Sequence, residues 1–256
     1  MILKIQHFVI FATILCLCAC NDSSKQLSKI SGEQIPITDS IKGTDSIDLF
    51  VAPYRKRINE VLDSTLAYAP KQITKNDGEY NTSAGNLMAD VMLSEANPIF
   101  KARTGQEIDF VISNLGGIRS IISEGKVNAR TAYEVMPFDN SIVVVALKGK
   151  DVRDLVSFLI NAKNPHPIAG IQIILNKNET LKNVNINGLP FDENRTYNVA
   201  TSNYLADGGS NMGFFKDSLK TIDLNYLIRN AMIDYFKKID TLTADVDDRF
   251  IKIEQK

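Results

Sequence analysis

The sequence predicts an α+β fold with α/β-type layering, mixed sheets flanked by helices, over about residues 46–256. Two observations carry this reading. Short β-branched runs, Asp109–Ser113 and Ser141–Leu147, alternate with stretches of helical period. The composition is that of an ordinary folded domain, 44% hydrophobic and 23% charged with 14 Gly and 8 Pro, and it excludes wholesale disorder, collagen and coiled coil. Lys and Arg (29) balance Asp and Glu (30) at a net charge of −1, which leaves no electrostatic footprint for nucleic acid.

Taken in order, Met1–Lys4 is a short basic start and Ile5–Leu17 an apolar run too short to span a bilayer as a stable helix, the pattern of a cleaved export signal. Leu17-Cys18-Ala19-Cys20 resembles a bacterial lipobox, which implies a signal peptide over residues 1–19, lipidation of Cys20 and a lipid-anchored protein of the bacterial cell envelope. The alternative is an ordinary secretory peptide cut near Ala19. All 3 cysteines, Cys16, Cys18 and Cys20, lie in this segment, so the remaining body has neither disulfide nor thiolate nucleophile. Residues 20–45, polar and without period, read as a flexible tether.

From Ile47 the pattern turns helical, with Leu49, Val51, Ala52, Tyr54, Ile58, Val61 and Leu62 on one broad face. Gly85–Ala96 reads as a second helix behind Thr82-Ser83 as caps. The strand at Asp109–Ser113 ends in Asn114-Leu115-Gly116-Gly117. Ser141–Leu147 reads as a central strand and leads through Gly149 into a helix over Val152–Leu159. Ile171–Leu175 and Asn183–Ile186 read as strands, with Asn187-Gly188 as a hairpin turn before Leu189, and Tyr197–Thr201 as another strand. Leu224, Leu227, Ile228, Ala231, Met232, Tyr235 and Phe236 keep the spacing of one amphipathic helix.

The chemistry is narrowed first by what is missing. Beyond the signal one histidine remains, His166, between Pro165 and Pro167, read as a surface loop residue. There is no H-E-x-x-H or C-x-x-C spacing, no G-x-S-x-G elbow with a histidine base, and no phosphate-binding G-x-x-x-x-G-K-[ST] or G-x-G-x-x-G loop. What is present is a set of loops that punctuate strands. Ser113–Arg119 offers an amide, a glycine pair open to close backbone approach, and a guanidinium fork suited to phosphate or ribose oxygens; it also reads as a tight turn with a surface arginine. Phe138, in Met136–Asn140, and Tyr204, before Gly208-Gly209-Ser210, stand in turn-bearing loops; each is either core or one half of a stack on a planar base.

The ordered blocks Ala84–Asp90, Asn114–Arg119, Met136–Asn140, Leu147–Gly149 and Tyr204–Gly209 resemble the C-terminal, substrate-binding domain of the 5′-nucleotidase family, across Ile47 to Lys238. That family includes UDP-sugar hydrolases and 2′,3′-cyclic phosphodiesterases. The resemblance implies that Phe138 and Tyr204 stack on the two faces of a base, with Asn114 on its edge and Asn140 beside it. It implies that Arg119 reaches the ribose and phosphate, and that Gly116, Gly117, Gly208 and Gly209 shape the loops. Ser210 stands where the family commonly has an acid for the ribose hydroxyls, and Asp77–Asn81 lacks an arginine usual in that segment. The family's full-length enzymes carry a metallophosphatase domain with a dinuclear metal site before this one, and the resemblance implies that this chain starts at the joining helix.

The resemblance therefore implies a split enzyme. This chain would recognise a nucleotide or nucleoside, with no catalytic residue, cofactor or metal of its own, and a separate metallophosphatase would supply divalent metals and water. Two alternatives stay open: a non-catalytic nucleoside- or nucleotide-binding lipoprotein, and a structural relic without ligand.

Overall fold

The computed structural model describes residues 2–18, 27–38, 40–41 and 43–253; Cys20, with the lipidation expected there, lies outside them. The chain divides into two units, Met1–Phe50 and Val51–Lys256. The first contains helix α1 (Ile2–Cys18) and the start of α2 (Asp45–Leu62). Among the described residues no helix is long and apolar enough to cross a membrane.

The second unit begins inside α2 and continues through β1 (Thr65–Ala69), α3 (Ser83–Thr104), β2 (Phe110–Ile112), β3 (Gly125–Asn128), α4 (Ala129–Val135), β4 (Ser141–Lys148) and α5 (Gly149–Ala162). It is completed by β5 (Ile168–Ala169), β6 (Ile171–Leu175), β7 (Leu181–Ile186), β8 (Leu189–Pro190), β9 (Thr196–Ser202), α6 (Asn203–Ala206), β10 (Lys220–Leu227), α7 (Ile228–Phe236) and β11 (Phe250–Lys252). The central sheet has the order β10-β4-β9-β2-β5, beside a four-stranded sheet β11-β6-β7-β8 and the pair β1-β3.

β4 shows why this sheet reads as a continuous apolar run. Successive side chains of a strand point to opposite faces, and both faces of β4 are covered. Ile142 and Val144 enter one core with Met88, Val91 and Met92 of α3 and Met232 and Phe236 of α7. Val143, Val145 and Leu147 enter a second core with Val152, Leu155 and Leu159 of α5 and Ile173 of β6. A strand buried on both sides loses the polar alternation of a half-solvated one.

Local chemistry starts and stops the helices. Thr82 Oγ1 accepts from Gly85 N–H at 3.1 Å to cap α3, and Gly105, at φ 73°, ends it in the left-handed conformation. Asn128 and Thr131 form a reciprocal capping box on α4. Asn86 is buried: its Nδ2 donates to Asn81 Oδ1 at 2.7 Å and to Asp245 O at 2.8 Å. Asn81 Nδ2 in turn donates to Phe250 O at 3.1 Å, so this asparagine pair ties the C-terminal strand to the head of α3. Asn187 and Gly188, at φ 51° and 74°, make the hairpin turn that the sequence predicts.

The structure corrects two expectations. Leu224 and Leu227 belong to β10, and the last helix starts only at Ile228. Leu224 is buried in the first core while Asp223 and Asn225 are exposed, a period of two that coincides locally with helical spacing. His166 is not a surface residue: it is 8% exposed, because Pro167 O accepts from Ser113 N–H at 2.9 Å and draws the segment onto the end of β2.

Candidate functional site

Topology gathers the loops that the sequence singles out. β9 pairs parallel with β2 and antiparallel with β4. The ends of β2 and β9 and the start of β4 therefore meet at one edge of the central sheet. The loops that leave or enter there carry Asn114–Arg119, Tyr204–Ser210 and Phe138–Asn140.

At this edge lies a cavity of about 420 Å³ lined by Asn114, Gly116, Gly117, Phe138, Asn140, Tyr204 and Ser210. Both of its rings are close to half exposed, Phe138 at 42% and Tyr204 at 48%. Burying a ring is worth roughly 1.5–3 kcal/mol, so two rings left open on one cavity are placed for something other than the core. The polar groups around them are the amides of Asn114 and Asn140, the Ser210 hydroxyl and the Tyr204 phenol. Arg119 stands beside this cavity rather than in its wall: it is exposed, with Cζ 5.9 Å from the Phe138 ring centroid and Nη1 donating to Gly116 O at 3.4 Å. Gly208 and Gly209 are not in the wall either; they form the turn behind Tyr204.

Two of the loops are held by specific contacts. Ser210 N–H donates to Tyr204 Oη at 3.2 Å, which fixes the ring against its own loop. Gly209 permits that approach, because a Cβ there would lie 2.5 Å from both Tyr204 Cζ and Tyr204 O. The Phe138 turn is held by Arg229, a residue that sequence reasoning missed. Arg229 is 7% exposed; its Nη1 donates to Pro137 O at 3.1 Å and Phe138 O at 3.3 Å, and its Nη2 to Asp139 Oδ1 at 2.6 Å. The guanidinium also lies 4.2 Å from the Tyr133 ring centroid, a cation–π contact. Beside it, Ile228 N–H donates to Asn140 O at 3.0 Å.

A larger recess of about 870 Å³ lies at the opposite ends of the same strands, lined among others by Asp109, Ala146, Arg195, Asn198 and Lys220. Its central charges satisfy each other: Arg195 Nη2 donates to Asp109 Oδ1 at 2.5 Å. Burial raises the Asp109 pKa against the pull of Asn198 N–H and Arg195. No residue that the sequence marks as a binding candidate lies there, and no half-exposed aromatic ring lines it. The smaller cavity is the better candidate.

Among the described residues no cluster of three or more His, Cys, Asp or Glu side chains is placed to hold a metal ion. The donors that a dinuclear centre requires are therefore not assembled there, and no step is routed through one. What this arrangement can do chemically is bind: two rings, two amides and a nearby guanidinium suit a planar heterocycle carrying an anionic group.

Comparison with known proteins agrees with this picture of the fold. The family model described as 5′-nucleotidase, C-terminal domain matches residues 63–217. The chain is 25% identical over 234 residues to the trifunctional nucleotide phosphoesterase protein YfkN of Bacillus subtilis, covering 84% of this chain and 15% of that protein. It is 25% identical over 236 residues to protein UshA of Yersinia enterocolitica, covering 90% of this chain and 37% of that protein. The 5′-nucleotidase precursor of Thermus thermophilus shares the fold, with a TM-score of 0.67 at 21% identity over 82% of this chain and 44% of that one. The match thus covers less than half the length of each of these relatives. With more than half of its residues inside the family model, it belongs to the 5′-nucleotidase family as a C-terminal domain.

Proposed function

We propose that the cavity between Phe138 and Tyr204 receives the base of a nucleotide or nucleoside, and that the protein is the recognition half of a 5′-nucleotidase-type phosphoester hydrolase system. One observation carries this: two half-exposed rings from separate loops line one cavity together with Asn114 and Asn140. Stacking binds any base through its π-face, and side-chain amides select by hydrogen bonds to its edge. Arg119, exposed beside Phe138, would receive the phosphate, and Ser210 a ribose hydroxyl. The cleaving metals and water would come from a separate metallophosphatase in the cell envelope, where Cys20 would anchor this chain by its lipid.

Calorimetric titration with adenosine, AMP and a UDP-sugar tests the recognition step, and no heat with any of them rejects it. AMP hydrolysis is expected only after an exported metallophosphatase is added; strong metal-dependent turnover by this chain alone overturns the division of labour. Arg119→Ala is expected to weaken AMP by about tenfold, the order of one charge-assisted hydrogen bond, and adenosine by less than about twofold. Equal losses for both ligands would remove the phosphate from Arg119.

The aromatic pair on the cavity also fits a second reading, a protein that binds nucleotides without taking part in their cleavage. Binding that persists while added metallophosphatase never gains activity supports that reading over the first.

A further inference from the structure

We propose that His166 is the positioning residue of the Asn114–Gly117 turn: its neutral imidazole holds the turn that presents Asn114 to the ligand, and its protonation releases it. The ligand arm of this proposal rests on the nucleotide reading above. β5 pairs antiparallel with β2, with Val111 opposite Ala169 and Ile112 opposite Ile168. The ladder runs one step beyond the strands, where Ser113 N–H donates to Pro167 O at 2.9 Å. The next acceptor in that register is the Pro165 carbonyl, yet Leu115 N–H donates instead to His166 Nδ1 at 3.3 Å. Asn114 is thus gripped on both sides, by a backbone carbonyl before it and an imidazole after it.

The imidazole is fixed for this task. Pro165 and Pro167 restrict the backbone around it, and His166 N–H donates to Asn164 O at 2.7 Å. Its ring packs on Phe158 of α5 with centroids 5.7 Å apart, and Phe158 packs edge-on against Phe214 at 5.7 Å. A neutral imidazole offers one acceptor nitrogen, whereas the protonated ring has two donors. Protonation therefore sets an N–H against the Leu115 N–H and ends the contact.

The surroundings keep the ring neutral at physiological pH. α5 presents Phe158 to it; of the charges on that helix, Lys150, Arg153 and Asp154 are exposed and Asp151, two turns before Phe158, is buried. From the turn comes Leu115, and in the following segment Lys163 is exposed and paired with Glu179 at 3.5 Å. Next to Phe214, Lys216 and Asp217 are exposed. Arg249 reaches Ile168 O at 2.8 Å, two residues on, already paired with Asp90 and Asp247. None of these is a cause of the shift: burial alone lowers the His166 pKa below its ordinary 6.5. A base that holds its proton less tightly when folded than when unfolded costs stability as pH falls below 6.5.

Adenosine is the suitable probe, having no phosphate that titrates in this range. Between about pH 8 and a pH below the His166 titration midpoint, which NMR of the imidazole locates, the full chain is expected to lose about fivefold in adenosine affinity, the order of one hydrogen bond. His166→Asn, whose Oδ1 replaces Nδ1 as an acceptor without titrating, is expected to hold its affinity within about twofold across that range. His166→Phe keeps the packing on Phe158 but is expected to bind weakly at both pH values. A merely structural histidine would weaken both variants alike and leave the pH profile unchanged, which overturns the proposal. If adenosine does not bind at any pH, the nucleotide reading falls by itself, and NMR of the ligand-free protein decides the positioning role. The Leu115 amide must then shift with the His166 imidazole titration; an amide that stays flat through it overturns the proposal.

Discussion

Tyr204→Ala is expected to weaken adenosine and AMP alike by about 1–3 kcal/mol, about fivefold to 150-fold, since each stacked base–ring contact is worth about that much. Phe138→Ala should cost a similar amount. The two losses should combine to less than their sum if the rings grip opposite faces of one base, because removing either already loosens the ligand from the other. Both rings are close to half exposed, at 42% and 48%, so neither substitution empties the core, and thermal unfolding should change by less than about 1 kcal/mol. That pairing of a large binding loss with a small stability loss separates a binding pocket from a structural relic. A relic would show the reverse, a fall in melting temperature with no affinity to lose.

The second large effect is expected at Arg229. Arg229→Ala removes three hydrogen bonds to the Phe138 turn, leaves Pro137 O and Phe138 O without that donor, and opens space over Tyr133. A loss of about 2–4 kcal/mol in unfolding free energy is expected, read as a drop of about 5–15 °C in melting temperature. Arg229→Lys should recover only part of it, since a single ammonium on a flexible stem cannot reproduce a planar fork that reaches two carbonyls and a carboxylate at once. In a variant that still folds, adenosine affinity should fall with stability, as Phe138 is no longer held on its edge of the cavity. If Arg229→Ala melted like the parent, the guanidinium would not be what holds the turn.

How far the sequence foretold this molecule can be judged from particular residues. Ser141–Leu147 was legible as a strand because both of its faces are buried, so every position from Ile142 to Leu147 is apolar. Asn187-Gly188 was legible because the turn demands left-handed residues. β1 and β3 went unread: Gly125–Asn128 buries only Val127, and one apolar residue makes no period. The helix expected from Leu224 is too long, because Leu224 and Leu227 continue its spacing by coincidence inside a strand. The loops around the cavity stood out because Gly and Asn mark the ends of strands, and the structure brings seven of the residues singled out from them into one wall. Arg229 did not stand out, because an arginine in the first turn of a helix reads as solvent-facing, and only the tertiary approach of the Pro137–Asp139 turn buries it. His166 misled for the same reason: two flanking prolines suggest an exposed loop, and nothing local announces that β2 will take up the carbonyl of Pro167.

The narrow seat of Tyr204 has a consequence for changing what this cavity accepts. At position 209 an added methyl would collide with the ring of residue 204 and, just as closely, with its main-chain oxygen. Shrinking the ring clears only the first collision, so Tyr204→Ala should not rescue Gly209→Ala. The aromatic is the exchangeable part and the glycine beneath it the fixed one. Ligand preference can therefore be retuned by swapping one planar side chain for another on an unaltered backbone.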